Sequence, residues 1–285
     1  MNYSIDKEIH DVCREYGIMD YTINIDGSID VDDDVFLYNK GLTKLPMKFN
    51  HVSGNFNCSG NNLTTLLGGP KSVGYHFYCQ HNKLTTLEGA PQSIFGSFWC
   101  SDNQLTSLEG SPKSIGSGFY CSDNKLTSLE FSPKSVVGNF NCHNNNLTTL
   151  EGSPQSVSGN FSCYYNKLTT LEGGPKSVGG NFSCSYNKLT TLLGGPKSVV
   201  GDFYCKNNEI LTFDGAPNHI GRDFYCGDNP IINIWKLFKD YSKVELLNDL
   251  DAIRDGDILM DRLNTFLSMI GRYEVLSVKG YNCII

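Results

Sequence analysis

The chain has 285 residues, a net charge of −7 and an apolar content of 39%, enough for a thin continuous core. Residues 1–50 carry five basic and ten acidic side chains, 51–227 eleven of each, and 228–285 seven and nine. With no basic stripe to neutralise phosphates, nucleic acid is not an expected partner, and no apolar stretch approaches the roughly 20 residues that span a bilayer, so no membrane is expected.

In chain order, residues 4–16 form an expected short helix, capped by Ser4, with Ile5, Ile9 and Val12 on one face and Gly17 as its stop. Tyr21–Ile25 and Ile29–Asp32 flank Asp26-Gly27, a strong hairpin signal. These segments make residues 1–34 an N-terminal cap. The start lacks a basic region followed by an apolar run, so no signal peptide and a cytoplasmic location are expected. Asp32-Asp33-Asp34 lacks the glycine and distal glutamate of a calcium loop and fits a solvated strand edge.

From 35 to 229 one frame, F-x-C-x-x-N-x-L/I-x-x-L, returns every 21 residues: one degenerate copy from Val35 and about nine full ones. Its cysteines are Cys58, Cys79, Cys100, Cys121, Cys142, Cys163, Cys184, Cys205 and Cys226. Its asparagines are Asn61, Asn82, Asn103, Asn124, Asn145, Asn166, Asn187, Asn208 and Asn229. A fixed period of this kind means a solenoid, each repeat burying its apolar edge against its neighbours. Phe and Cys, two apart, share the inward face of a short strand. An odd number of cysteines in one column cannot all pair, so these thiols are expected as buried small hydrophobes. The asparagine amide is expected to satisfy turn backbone groups that would each cost about 1–3 kcal/mol if unpaired. Leucine pairs such as Leu84 and Leu87 then cross the core, and recurring Gly and Pro exclude a helix on the return side. A last rung runs from Val73 to Ile220, four residues before each Phe, with a small bulge expected between.

The order L-x-x-x-P-x-x-V/I-x-x-x-F-x-C-x-x-N-x-L resembles the leucine-rich repeat, Phe and Cys taking the two strand leucine positions. It is most similar to the short bacterial type. The phrasing L-T-S-L-E-G-x-P-x-x-V-G-x-x-F-x-C also resembles leucine-rich-repeat proteins carried by tailed bacteriophages, over roughly residues 21–229. The resemblance implies a mostly-β leucine-rich-repeat solenoid with one parallel sheet between helical N- and C-terminal caps. It implies no particular activity.

After Asn229 the period stops. Three helices are expected over 230–285: one opening at Pro230, one capped by Ser242-Lys243-Val244-Glu245 and running through Ile253, and one capped by Asp257 and ended by Gly271. A small hairpin about Lys279-Gly280 should close this α-helical C-terminal cap.

No chemistry stands out. Cys100-Ser101-Asp102, Cys121-Ser122-Asp123 and Cys226-Gly227-Asp228 resemble the C-x-D motif of bacterial leucine-rich-repeat ubiquitin ligases, but their cysteines belong to the inward ladder. Residues 230–285 are also too few for that catalytic domain. His76 and His81 bracket one strand without a metal-ligand pattern. No enzyme, cofactor or metal is expected. The informative variation lies between Phe and Cys, where the residues run Asn57, Tyr78, Trp99, Tyr120, Asn141, Ser162, Ser183, Tyr204 and Tyr225. Tyr78, Trp99 and Tyr120 should form one aromatic ladder, and Tyr204 with Tyr225 a second. Tyr164, Tyr165 and Tyr186 lie between, and Asp102, Asp123, Asp202, Asp223 and Asp228 decorate the same side. Exposed aromatics rimmed by polar groups suit a protein-binding surface, although cross-strand stacking alone could explain them. The lysine row Lys71, Lys113, Lys134, Lys176, Lys197 and the glutamate row from Glu88 to Glu172 make a solvated return face that can pair crosswise. The expectation is a binding module for a protein partner, in a phage setting a host protein. Self-association as a virion or assembly scaffold, and carbohydrate binding, are the alternatives. The oligomeric state is open.

Overall fold

A computed structural model describes residues 3–284, with side chains from residue 6 onward. The chain is a mostly-β leucine-rich-repeat solenoid. Ten two-residue strands, from Val35–Phe36 to Phe224–Tyr225, pair in parallel and in register at every 21-residue step. Phe and Cys point inward. The phenylalanine rings from Phe56 to Phe224 stack in one unbroken column, centroids 5.1–5.7 Å apart, within the range where offset aromatic pairs attract.

A second ladder stands where a single sheet with a bulge was expected. Each Ser-Val or Ser-Ile pair before the Phe strand is itself a strand, from Ser72–Val73 to His219–Ile220. The residues between the two strands are a bend that turns the chain onto the next side of the coil. Glycine recurs there because the coils touch: a Cβ on Gly116 would stand 1.9 Å from the Phe95 carbonyl oxygen. This ladder is split in two, one sheet ending at Ser114–Ile115 and the next starting at Ser135–Val136. In the turn between them Phe131 has φ +67°, a position filled elsewhere by glycines such as Gly110 and Gly152 at +88° and +85°.

Helix α1, Tyr3–Tyr16, packs Ile9 and Cys13 into the end of the core. The expected Ser4 cap falls on a side chain outside the described ones. The hairpin of Tyr21–Ile23 with Ile29–Val31 extends the second ladder, its inner strand pairing in parallel with Phe49–Val52. Asp32 and Asp33 are exposed.

The C-terminal segment departs from three helices. Helix α2, Ile232–Phe238, lays Ile234 and Phe238 against the last coil, with Trp235 5.4 Å from Phe224. Helix α3, Val244–Asp249, is preceded by a 3-10 turn whose cap is Asp240, not Ser242: its carboxylate accepts from both Ser242 N and Oγ. α3 ends before Ile253, because Asp255-Gly256, at φ +52° and +84°, turns a hairpin of Ile253–Arg254 with Asp257–Leu259. Asp257 is therefore a strand residue, and helix α4, Met260–Met269, starts without a side-chain cap. The tail is not a hairpin: Asn282–Ile284 pairs in parallel with Asp257–Leu259. This segment is mixed α/β, and it is tied to the solenoid by Tyr241 Oη donating to the Pro217 carbonyl at 2.5 Å and Tyr281 Oη to the Leu211 carbonyl at 2.8 Å.

Candidate interaction face

The scaffold under the strand face is held by the asparagine column. Asn145 is typical. Its Oδ1 accepts from Leu126 N at 2.9 Å, and its Nδ2 donates to the Cys121, Cys142 and His143 carbonyls at 3.1, 3.1 and 3.2 Å. One amide thus ties its own turn to the preceding coil. The same bonds recur from Asn61 to Asn229. The ladder cysteines are buried, and burial pushes their thiols up, Cys58 and Cys226 to about 12. Cys79 and Cys163 also donate Sγ–H to the Trp99 and Ser183 carbonyls at 3.2 and 3.3 Å.

A further ladder precedes each Phe, and the sequence reading missed it. Asp34, Asn55, His76 and Ser97 each accept from the backbone N–H one coil on, and so do Asn139, Asn160, Asn181 and Asp202. The column holds short acceptors in every coil but one, Gly118, which is the signal that could have found it. Asp202 and Asp223 belong to this column. His76 and His81 have separate partners, Ser97 N and the Asp102 carboxylate at 3.3 Å.

The column between Phe and Cys forms the outward face. Tyr78 and Trp99 have centroids 6.2 Å apart, and Trp99 stacks on Tyr120 at 3.6 Å and 7°. Gly118 permits that stack, since a Cβ there would meet the Tyr120 ring at 2.6 Å. Tyr204 and Tyr225 stack at 4.8 Å and 4°, their hydroxyls donating to the Asp202 and Asp223 carboxylates at 3.0 and 3.1 Å. Both phenols are raised, Tyr204 first by burial and then by Asp202, and Tyr225 first by its bond to Asp223. Asn141, Ser162 and Ser183 separate the two aromatic groups. The degenerate coil adds Phe36, exposed and edge-on to Tyr38 at 6.2 Å, a pair missing from the sequence reading.

Two residues after each Cys the chain turns through a left-handed residue. The column reads Asn39, Gly60, His81, Asp102, Asp123, Asn144, Tyr165, Tyr186, Asn207 and Asp228, all at φ between 51° and 66°. Asp102 and Asp123 therefore serve the turn, Asp123 also accepting from Asn144 Nδ2 at 2.5 Å. Tyr165 and Tyr186 are exposed and stacked on each other at 4.3 Å, and Tyr164 stands edge-on to Tyr165 at 5.6 Å. His143 stacks on Tyr164 at 4.3 Å. Its Nδ1 is buried, 3.8 Å from Asp123, and burial lowers its pKa against the pull of that carboxylate.

On the return side the lysine and glutamate rows are exposed, but among the described residues no ion pair joins them. No cluster of three or more His, Cys, Asp or Glu among the described residues could hold a metal ion, and no described helix is long and apolar enough to cross a membrane. No protein-family profile matches the chain, and no curated protein matches it. Among solved structures it is similar to YopM from Yersinia enterocolitica WA-314, with a TM-score of 0.43 and 19% identity over 69% of this chain. The chain spans 56% of that protein.

Proposed function

We propose that the chain is a non-enzymatic protein-binding module and that the outward strand face is its contact surface. Tyr78, Trp99, Tyr120, Tyr164, Tyr186, Tyr204 and Tyr225 are its aromatic anchors, joined by Tyr165, which stacks on Tyr186. The observation that carries this reading is the backbone of Tyr165 and Tyr186. A left-handed φ costs a residue with a Cβ about 1–2 kcal/mol, a cost that Gly avoids and Asn or Asp tolerate. Eight of the ten turns hold Gly, Asn, Asp or His; the two tyrosines are adjacent and exposed. Sheet stabilisation accounts for Trp99 on Tyr120. It does not account for aromatics placed where they strain the turn, and strain of this kind gathers at functional sites.

Tyrosine and tryptophan dominate the energetics of protein interfaces, and the solenoid presents them on a ten-stranded face. The phage-type phrasing of the repeats supports a host protein as the partner, met in the host cytoplasm; that part of the proposal rests on sequence alone. The test is affinity capture from a bacterial lysate with mass spectrometry. The wild-type chain should retain one protein stoichiometrically. Y78A/W99A/Y120A and Y165N/Y186N should each lose it while unfolding as cooperatively as the wild type. Undiminished capture by both variants, or retention of a polysaccharide or of the chain itself in place of a partner, overturns the assignment.

A further inference from the structure

Asp202 does with a charge a job that three asparagines do without one, and Asp223 ends the same column. Asn139, Asn160 and Asn181 occupy the same column, and each accepts the N–H of the next coil through Oδ1 at 2.7–2.8 Å. Asp202 Oδ1 accepts Asp223 N in the same way at 3.1 Å. Toward the backbone, asparagine would serve equally, but Asp202 Oδ2 also accepts from Tyr204 Oη, which an amide nitrogen cannot do. Two carboxylates in register on neighbouring strands repel, which disfavours the pairing. The backbone ladder alone therefore does not explain the charge.

Each carboxylate holds a phenol of the Tyr204–Tyr225 stack. The result is two parallel rings edged by two anions. An aromatic face beside negative charge attracts a cation, and the molecule already places one there. The stem of Lys206 runs over Gly227, within 3.8–4.0 Å of where a Cβ would stand, and its Nζ lies 5.2 Å from the centre of the Tyr225 ring. Among the described residues no carboxylate lies within ion-pair distance of that ammonium. The ring holds the cation.

We propose that Tyr204, Tyr225, Asp202 and Asp223 form a subsite for an arginine side chain of the protein partner, with Lys206 as its intramolecular stand-in. A guanidinium is planar and weakly hydrated, so it can lie on a tyrosine and still fork its N–H groups onto carboxylates; an ammonium can do only one of these well. This inference rests on the strand face being the contact surface, and it names what the partner must carry at this end.

The test titrates protein with 13C-labelled tyrosine rings, assigned through Y204F and Y225F. The probes are the blocked peptide Gly-Arg-Gly-Arg-Gly and versions with lysine or citrulline in place of arginine. Saturable shifts should be confined to Tyr204 and Tyr225. Lysine should bind about threefold more weakly and uncharged citrulline about tenfold more weakly. D202N/D223N, which keeps an Oδ1 acceptor for the backbone N–H of residue 223 but removes both charges, should also lose about tenfold, and K206A should gain about threefold by freeing the ring. Equal binding of citrulline, wild-type affinity in D202N/D223N, no gain in K206A, or shifts centred on other tyrosines would overturn the proposal. Partner capture separates the two levels. If Y165N/Y186N loses the partner and D202N/D223N keeps it in full, the arginine subsite is wrong and the strand face stands. If Y78A/W99A/Y120A, Y165N/Y186N and D202N/D223N all keep it in full, both fall.

Discussion

The rings of Tyr165 and Tyr186 stack at 4.3 Å although each residue sits in a left-handed turn, at φ 51° and 57°. Replacing both with asparagine removes two backbone penalties of about 1 kcal/mol or more each and forfeits one stacking contact worth about 0.5–1.5 kcal/mol. Y165N/Y186N should therefore be as stable as the wild type or more stable by about 1 kcal/mol, read from the urea midpoint, while partner capture is lost. A loss of stability instead would make the tyrosines part of the scaffold.

The asparagine column should behave in the opposite way. Asn145→Ala leaves Leu126 N without its acceptor in a buried turn, while the Cys121 and Cys142 carbonyls keep the amides of Asn124 and Asn166. With that one orphaned donor costing about 1–3 kcal/mol, the variant should lose about that much. Its far-ultraviolet circular dichroism should hold at low urea and collapse at a much lower midpoint. A loss below about 1 kcal/mol would mean that water replaces the amide at little cost.

What the sequence made legible follows from repetition. A column that keeps one residue type across nine coils, such as Cys58 to Cys226, reports a single environment, and alternation around it sets the inward face. Columns of mixed letters were harder. Asp34, Asn55, His76 and Ser97 look unrelated as letters but share one role, a short side chain that accepts a backbone N–H. The turn column hid its meaning likewise: Asn, Asp and Gly together signal positive φ, and only with that known does tyrosine stand out as costly. The second ladder was illegible because each of its strands offers one inward residue, such as Val73 or Ile94, with no second inward residue two places on to mark a strand as Cys marks the Phe strand. Asp255-Gly256 carried the same hairpin signal as Asp26-Gly27, but a helix-like spacing of leucines upstream overrode it.

The buried thiols give the fold an alkaline limit. Burial pushes Cys58 and Cys226 from 9.0 to about 12, and the other ladder cysteines upward as well. A thiol whose folded pKa is raised holds its proton more tightly in the native state. Its contribution is complete below pH 9 and is lost as pH rises through the folded value. The urea midpoint should be flat from pH 6 to about 8.5 and then fall steeply between pH 9 and 12. At pH 8 the native chain should expose only Cys283 of its eleven thiols to a disulfide reagent, and all eleven in urea. A flat alkaline profile would contradict the burial of the column.

Phe131 marks a second strained point, on the return side. It stands at φ +67° in a turn position held by glycine in the neighbouring coils, and the second ladder is interrupted between Ile115 and Val136 around it. The residue is 60% exposed, so little burial offsets the strain. Phe131→Gly relieves about 1–2 kcal/mol of left-handed cost and gives back about 0.4–1 kcal/mol through the freer unfolded chain. The net expectation is a gain of about 0.5–1 kcal/mol. Hydrogen exchange at residues 131–137 should slow with it, as the turn settles into the geometry of its neighbours. If the variant is instead less stable, the Phe131 ring is holding the coils together across the break, and the interruption of the ladder has another cause.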